Sequence, residues 1–316
     1  MNFIRLKPIL LKRIWGGHAL REEFSRMLPE SDAIGESWEI SDRQEACCII
    51  EGGRFSGMSL RDAIRENSAY IMGPGWNPDK RFPILVKWLD ASSTLSVQVH
   101  PDEIAAELLG GESKSENWYV YKADKDAKIV VGLKRGVTPE LFEHSLDSEH
   151  LKGLLDIRAA REGDSILIPP GCLHAIGGGI LILEIQQNSD TTYRAFDWNR
   201  LDSDGKPRAL HIRESMKSIN FGLPVPHTLK TGDDDLEICR CKQFSIRVMN
   251  LPEGSKFSFE AMRQPRILSV VRGSIKSSCG GELRLSESAI LPYAQAQNFE
   301  VVQSAKLLLT ENFSNG

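Results

Sequence analysis

Residues 163–194 read GDSILIPPGCLHAIGGGILILEIQQNSDTTYR, and the punctuation of this stretch decides the fold. Two apolar runs flank Pro169-Pro170-Gly171, a pattern that fits a tight turn between two antiparallel strands. His174 follows the turn by three residues. A single imidazole in that place is open to two readings, a satisfied core histidine or a metal ligand. The second needs partners supplied from elsewhere in the chain.

Outward from this stretch, short strand-like runs with turn signals dominate. They include residues 82–90, 93–100, 127–133, 164–170 and 179–187, then a second series at 244–251, 266–278, 288–293 and 306–313. Sustained strand–helix alternation is missing, which argues against a doubly wound parallel sheet and for antiparallel barrels or jelly-roll sandwiches. A few helices interrupt the series. Ser59 and Asp62 open one that runs to about Glu66. Asp102 opens another, which stops at Gly110-Gly111, and Thr138-Pro139-Glu140 opens a third. Ile212, Met216 and Ile219 stripe a fourth, ending near Phe221-Gly222. The segment 223–235, LPVPHTLKTGDDD, is the best domain boundary, with a long surface loop as the alternative. It divides the chain into 1–225 and 226–316.

The chain has 316 residues, 26% of them charged, and a net charge of −4, so composition gives no sign of a nucleic-acid or anionic-membrane partner. The six cysteines form no CxxC pair and read as reduced thiols of a cytoplasmic protein. The N-terminal apolar run is broken by Lys7, Pro8, Lys12 and Arg13, and no stretch approaches the roughly 20 apolar residues of a membrane span. No obligate protein partner is implied.

Several polar residues fall where an apolar one would be expected. Gln98 and His100 lie two apart on a strand and share a face, while Val97 and Val99 point the other way. An amide and an imidazole are costly to bury without partners. Lys114 and Glu116 share the same spacing if their segment is extended; a solvated charged loop is the competing account. Glu184 interrupts the apolar run 180–187, on one face with Ile180, Ile182 and Gln186. A carboxylate there needs an ion-pair partner, a metal or a raised pKa. Gln98, His100, Glu116 and His174 together would offer two imidazoles, a carboxylate and an amide oxygen. That set suits Zn²⁺, with Mn²⁺, Fe²⁺ or Co²⁺ also compatible.

The pattern Gly163…Pro169-x-Gly171-x-x-His174 resembles the second motif of the cupin superfamily. WGG (15–17), VKWLDASSTLSVQVHPD (86–102), SENWY (115–119), PPGCLHAI (169–176) and LEIQQNSDTTYRAFDWNR (183–200) are similar, in collinear order over about residues 5–220, to type I phosphomannose isomerases of the short bacterial form. The resemblance implies a mainly β double cupin, two antiparallel jelly-roll barrels with a few short helices, the large helical insertion of longer members being absent or reduced. It implies one Zn²⁺ per chain on Gln98, His100, Glu116 and His174. It further implies an aldose–ketose isomerase that interconverts mannose 6-phosphate and fructose 6-phosphate through an enediol. On this reading the active-site positions are Trp15, Lys87, Ser96, Lys114, Glu184, Asp190 and Arg194. Glu184 is the leading proton carrier, because burial on an apolar strand raises a carboxyl's pKa. Arg194 and Lys114 supply positive charge to the phosphate or the enediolate. Lys87 is a weaker candidate for that work, with a structural ion pair as its alternative. Trp15 and Trp38 either wall the pocket or belong to the core. No histidine follows His227, so the C-terminal part resembles a degenerate cupin without metal ligands, with Arg272-Gly273 and Leu291-Pro292 at expected turns. An isomerase of another sugar and a non-catalytic sugar-phosphate sensor are the rival functions.

Overall fold

A computed structural model of the chain describes residues 2–26, 28, 32–146, 150–202 and 204–314. The fold is mainly β with a few short helices. In chain order the strands are β1 (Ile4–Lys7), β2 (Ile9–Gly17), β3 (Ile34–Ile40), β4 (Ile49–Glu51), β5 (Ile84–Ala91), β6 (Val97–Val99), β7 (Glu116–Ala123), β8 (Lys128–Leu133), β9 (Leu155–Ala159), β10 (Asp164–Ile168), β11 (His174–Ile176), β12 (Ile180–Gln187), β13 (Tyr193–Phe196) and β14 (Thr228–Lys230). They continue with β15 (Leu236–Arg240), β16 (Ser245–Leu251), β17 (Lys256–Phe259), β18 (Arg266–Ser277), β19 (Glu282–Arg284), β20 (Ser288–Leu291) and β21 (Gln297–Glu311). The helices are α1 (Ala19–Phe24), α2 (Leu60–Ile71), α3 (Glu103–Leu109), α4 (Pro139–Ser145), α5 (Leu151–Leu154) and α6 (Ile212–Ser218). None of the helices among the described residues is long and apolar enough to cross a membrane.

The helix starts follow their caps. Ser59 Oγ accepts from the Asp62 N–H at 3.0 Å, Asp102 Oδ1 from Ala105 N–H at 2.8 Å, and Thr138 Oγ1 from Leu141 N–H at 3.2 Å. Each satisfies one of the amides that a helix leaves open at its start. The helix opened by Ser59 does not stop at Glu66 as expected. It kinks at Asn67 (φ −136°, ψ 35°) and resumes to Ile71, where Ile71 is buried. Tertiary burial of that last turn overrides the local stop.

The chain forms two compact units, one of Met1–Leu10, Ser37–Lys87 and Thr231–Gly316, the other of Leu11–Glu36 and Trp88–Lys230. A single cut at 225/226 therefore does not describe the division. The C-terminal strands take in N-terminal ones, because β1 pairs with β20 and with β4. The first unit is built on a nine-stranded sheet with the path β15-β16-β21-β18-β20-β1-β4. Phe3, Leu268, Val270, Leu283, Phe299 and Leu307 are among the residues of its core.

Arg272-Gly273 is not a turn between strands but a bulge inside the long β18, where the register against β21 slips between Val270 and Ser274. Gly273 has φ +71°, and a Cβ there would sit 2.3 Å from the Ser304 carbonyl oxygen. Left-handed backbone disfavours any side chain, and a backbone atom is unable to withdraw as a flexible side chain would. Gly273→Ala is expected to cost about 3 kcal/mol of stability, read as a lowered thermal midpoint. An unchanged midpoint would mean that the bulge relaxes freely.

The second unit holds the sheet β13-β6-β11-β8-β9 and the strands β14-β10-β7-β12 of a seven-stranded sheet that continues through β5, β3 and β2. Its core includes Trp15, Trp118, Val120, Ile166, Ile168 and Ile182. The expected strand over 93–100 shrinks to Val97–Val99. The backbone amides of Ser92 and Ser93 go instead to the Trp15 carbonyl, so those residues have left the ladder.

Candidate active site

The turn after β10 does structural work through its backbone. Gly171 sits at φ +81°, where a Cβ would come within 2.9 Å of Asn220 Cβ. Its N–H donates to the His100 carbonyl at 2.9 Å, and its own carbonyl accepts from Asn220 N–H. The Pro-Pro-Gly turn is thereby tied to the residue that follows β6. Cross-strand pairing then lines up a row: Arg194 on β13 opposes Gln98 on β6, and Gln98 opposes His174 on β11. Directly opposed residues project from the same face. On the other sheet, Glu116 opposes Gln186 and Trp118 opposes Glu184 across β7 and β12.

His100, Glu116 and His174 meet. Their donor atoms lie within 4.8 Å of one another, and all three side chains are buried. His100 Nε2 is 3.2 Å from Glu116 Oε2, and His174 Nε2 is 3.5 Å from Glu116 Oε1. The other nitrogen of each ring faces a carbonyl: His100 Nδ1 is 2.8 Å from Thr191 O, and His174 Nδ1 is 2.9 Å from Cys172 O. A carbonyl only accepts, so each Nδ1 carries the proton and each Nε2 presents a lone pair. Burial, and after it the Lys114 ammonium, pushes His100 down to about 3, and burial lowers His174 as well. Burial alone would raise Glu116. Lys114, 2.8 Å away, is chief among the groups that outweigh it and hold the carboxylate well below its usual range. Three electron-pair donors thus point at one place, and His100 Nε2 has no hydrogen-bond partner among the described residues. Lone pairs facing lone pairs repel unless a cation lies between them. The set fits a divalent metal ion.

Gln98 stands beside this cluster with its Nε2 3.3 Å from His174 Nε2, while its Oε1 accepts from Ser96 Oγ at 3.3 Å. As oriented it offers the ring an N–H; its oxygen reaches that place on a half-turn of the amide. Lys114 and Glu116 are not a solvated loop. Both are buried and paired, and Lys114 Nζ also lies 3.8 Å from Glu184 Oε1. Glu184 is buried and accepts from Trp118 Nε1 at 3.0 Å. Arg194 donates through Nη1 to Ala209 O at 2.9 Å, and its buried Nε has no partner among the described residues. Burial, followed by the neighbouring Arg208, lowers its pKa. Ser96 is buried and Asp190 exposed. Trp15 lies in the apolar core of this unit. Lys87 lies in the first unit, buried, with its ammonium 5.7 Å from the Trp38 ring.

A model of the phosphomannose isomerase type I catalytic domain matches residues 3–133. Mannose-6-phosphate isomerase ManA of Bacillus subtilis is 36% identical over 297 residues, spanning 91% of this chain and 92% of that protein. The chain belongs to the type I phosphomannose isomerase family. Another relative, mannose-6-phosphate isomerase of Streptococcus mutans, is 40% identical over 226 residues, 71% of this chain and 69% of its own. The crystal structure of the mannose 6-phosphate isomerase from Bacillus subtilis superposes with a TM-score of 0.85 at 29% identity, covering 99% of this chain and 100% of that one.

In this phosphomannose isomerase, three contributors to the site carry little or no signal in the sequence. The carbonyls of Thr191 and Cys172 fix the imidazoles, and a backbone oxygen leaves no mark on residue type. Trp118 belongs to the SENWY segment and lies two beyond Glu116, hence on the same face, but nothing in its residue type assigns it a role.

Proposed function

We propose that this enzyme is a zinc-dependent aldose–ketose isomerase that interconverts mannose 6-phosphate and fructose 6-phosphate through an enediol. The observation that carries the reading is the buried convergence of His100, Glu116 and His174 in a chain of this family. Two neutral imidazoles and a carboxylate suit zinc, and Gln98 would complete the set through its oxygen. When bound, the ion would supply Lewis-acid polarisation and orient the sugar oxygens.

The chain's own residues account for the rest. Moving a carbonyl between C1 and C2 needs one group to take a proton from one carbon and return it to the other. Glu184 is that group: it is buried, its Oε2 is held by the Trp118 indole, and its Oε1 is near the Lys114 ammonium. Lys114 pairs with Glu116 at 2.8 Å and lies 3.8 Å from Glu184, a task more specific than anchoring phosphate. Arg194, in one row with Gln98 and His174, has donors to spare for a phosphate or for an enediolate oxygen. Ser96 orients the Gln98 amide, and Asp190 is assigned to substrate binding with Trp15 as apolar backing. We read both units as cupin jelly rolls, the His100-bearing one catalytic and the other without metal ligands. The described cysteines are all free thiols, which suits the cytoplasm.

A coupled isomerase assay on mannose 6-phosphate tests this. Chelation should remove at least about 90% of turnover and zinc should restore it, as expected for a Lewis-acid centre. Activity indifferent to chelator, with no stoichiometric metal, would sink the zinc assignment; turnover of other sugars only would sink the substrate.

A further inference from the structure

The indole of Trp118 stands between the two halves of the site. Trp118 opposes Glu184 directly across the β7–β12 ladder, so the two side chains are neighbours on one face. It is fully buried. An indole N–H is a donor only, and when buried it must find an acceptor. It finds Glu184 Oε2 at 3.0 Å, a hydrogen bond strengthened by the acceptor's charge. The same ring meets His174 edge-on, with centroids 5.5 Å apart and planes at 73°. Val120, Ile166, Ile168 and Ile182 belong to the same buried core cluster. Lys114 holds Glu184 less closely, at 3.8 Å, and is itself drawn to Glu116 at 2.8 Å.

We propose that Trp118 is a positioning residue for the isomerase reaction: its N–H fixes the Glu184 carboxylate in one orientation, and its ring edge holds that carboxylate in register with His174. The proposal rests on the reading of Glu184 as the proton carrier, and its test separates the two. A phenylalanine at this position retains a ring against His174 and the apolar neighbours but removes the donor. A tryptophan that only filled space would, on that change, lose stability rather than turnover.

In the zinc-loaded enzyme Trp118→Phe is expected to lower kcat about 10- to 100-fold, the worth of one hydrogen bond to a charged group. KM for mannose 6-phosphate should stay within about twofold and zinc stoichiometry should be unchanged, the signature of an interaction that matters in the transition state. Added to Glu184→Gln, the change should cost nothing further, because both remove the same function. The chain has six tryptophans, and the Trp118 indole ¹H–¹⁵N signal, assigned through its contacts with the His174 ring, should move upfield in Glu184→Gln as the charged acceptor becomes neutral. Full kcat in Trp118→Phe alongside an inactive Glu184→Gln overturns the positioning role and leaves the isomerase reading intact. An active Glu184→Gln instead overturns the proton-carrier reading and the positioning role with it. Should Trp118→Phe lose its fold, the indole signal decides: a shift supports the proposal, and no shift overturns it.

Discussion

Glu184→Gln is expected to abolish isomerisation while leaving the metal in place. Glu184 contributes none of the three donor atoms that converge at the cluster, so zinc content should remain that of the wild type. The amide keeps an oxygen for the Trp118 N–H, and the Lys114–Glu116 pair at 2.8 Å is untouched. What disappears is a group able to accept a proton and give it back. General acid–base catalysis contributes on the order of 10²–10⁴-fold, and turnover should fall by that much with the fold unchanged by circular dichroism. Retention of near-normal turnover with normal metal content would remove Glu184 from the proton path. Lys114, 3.8 Å away, would then become the group to test.

Glu116→Gln should do the reverse and take away the metal. It removes the one negative charge from a donor set whose other members are neutral imidazoles, and it replaces one of the two oxygens that face the rings with an amide nitrogen. Losing an outer-shell partner of a metal site typically costs about 10–100-fold in affinity, so loss of a charged ligand should exceed that. Metal analysis after dialysis should find the site substantially depleted, and turnover should fall in proportion. Stability without metal should change less, because two effects oppose each other. Lys114 loses its close partner, which is costly for a buried charge, while the new amide N–H gives an imidazole lone pair a donor. Stoichiometric zinc in the variant would mean that the cluster is not where the ion binds.

Much of this site is legible in residue types and their spacing, in 163–194 and around Gln98 and His100. Proline and glycine fix a turn through backbone sterics that depend only on residue type, and a two-residue repeat fixes which side chains share a face. Both are local rules, so the turn at Gly171, the pairing of Gln98 with His100 and the inward Glu184 follow from them. Burial is not local. Lys114 and Glu116 read as easily as a solvated loop, and only the strands around them make them an enclosed ion pair. Trp15 reads either as a pocket wall or as core, and its place in the core cluster is decided by burial for the same reason. Division of the chain is hidden in the sequence because it depends on β1 finding β20 nearly the whole chain away, a pairing that leaves no signal in either strand. The bulge at Gly273 reads as a turn because a bulge and a turn ask the same thing of glycine, a positive φ.

The carbonyls of Thr191 and Cys172 have a consequence for the chemistry of filling the site. A metal usually has to evict protons from its ligands, and its affinity climbs with pH for that reason. Here the geometry already turns the Nδ1 protons of both rings away from the cluster. Both Nδ1 nitrogens face backbone carbonyls, burial and the Lys114 ammonium disfavour a second proton on His100, and Lys114 is chief among the groups that hold the Glu116 carboxyl well below its usual range. On the proposed reading an arriving ion would meet three lone pairs already free of protons, so its affinity is expected to change little across the neutral range, which metal titrations at two pH values would check. The main chain has in effect set the proton inventory of the centre, and it does so with atoms that no side-chain substitution at 172 or 191 deletes.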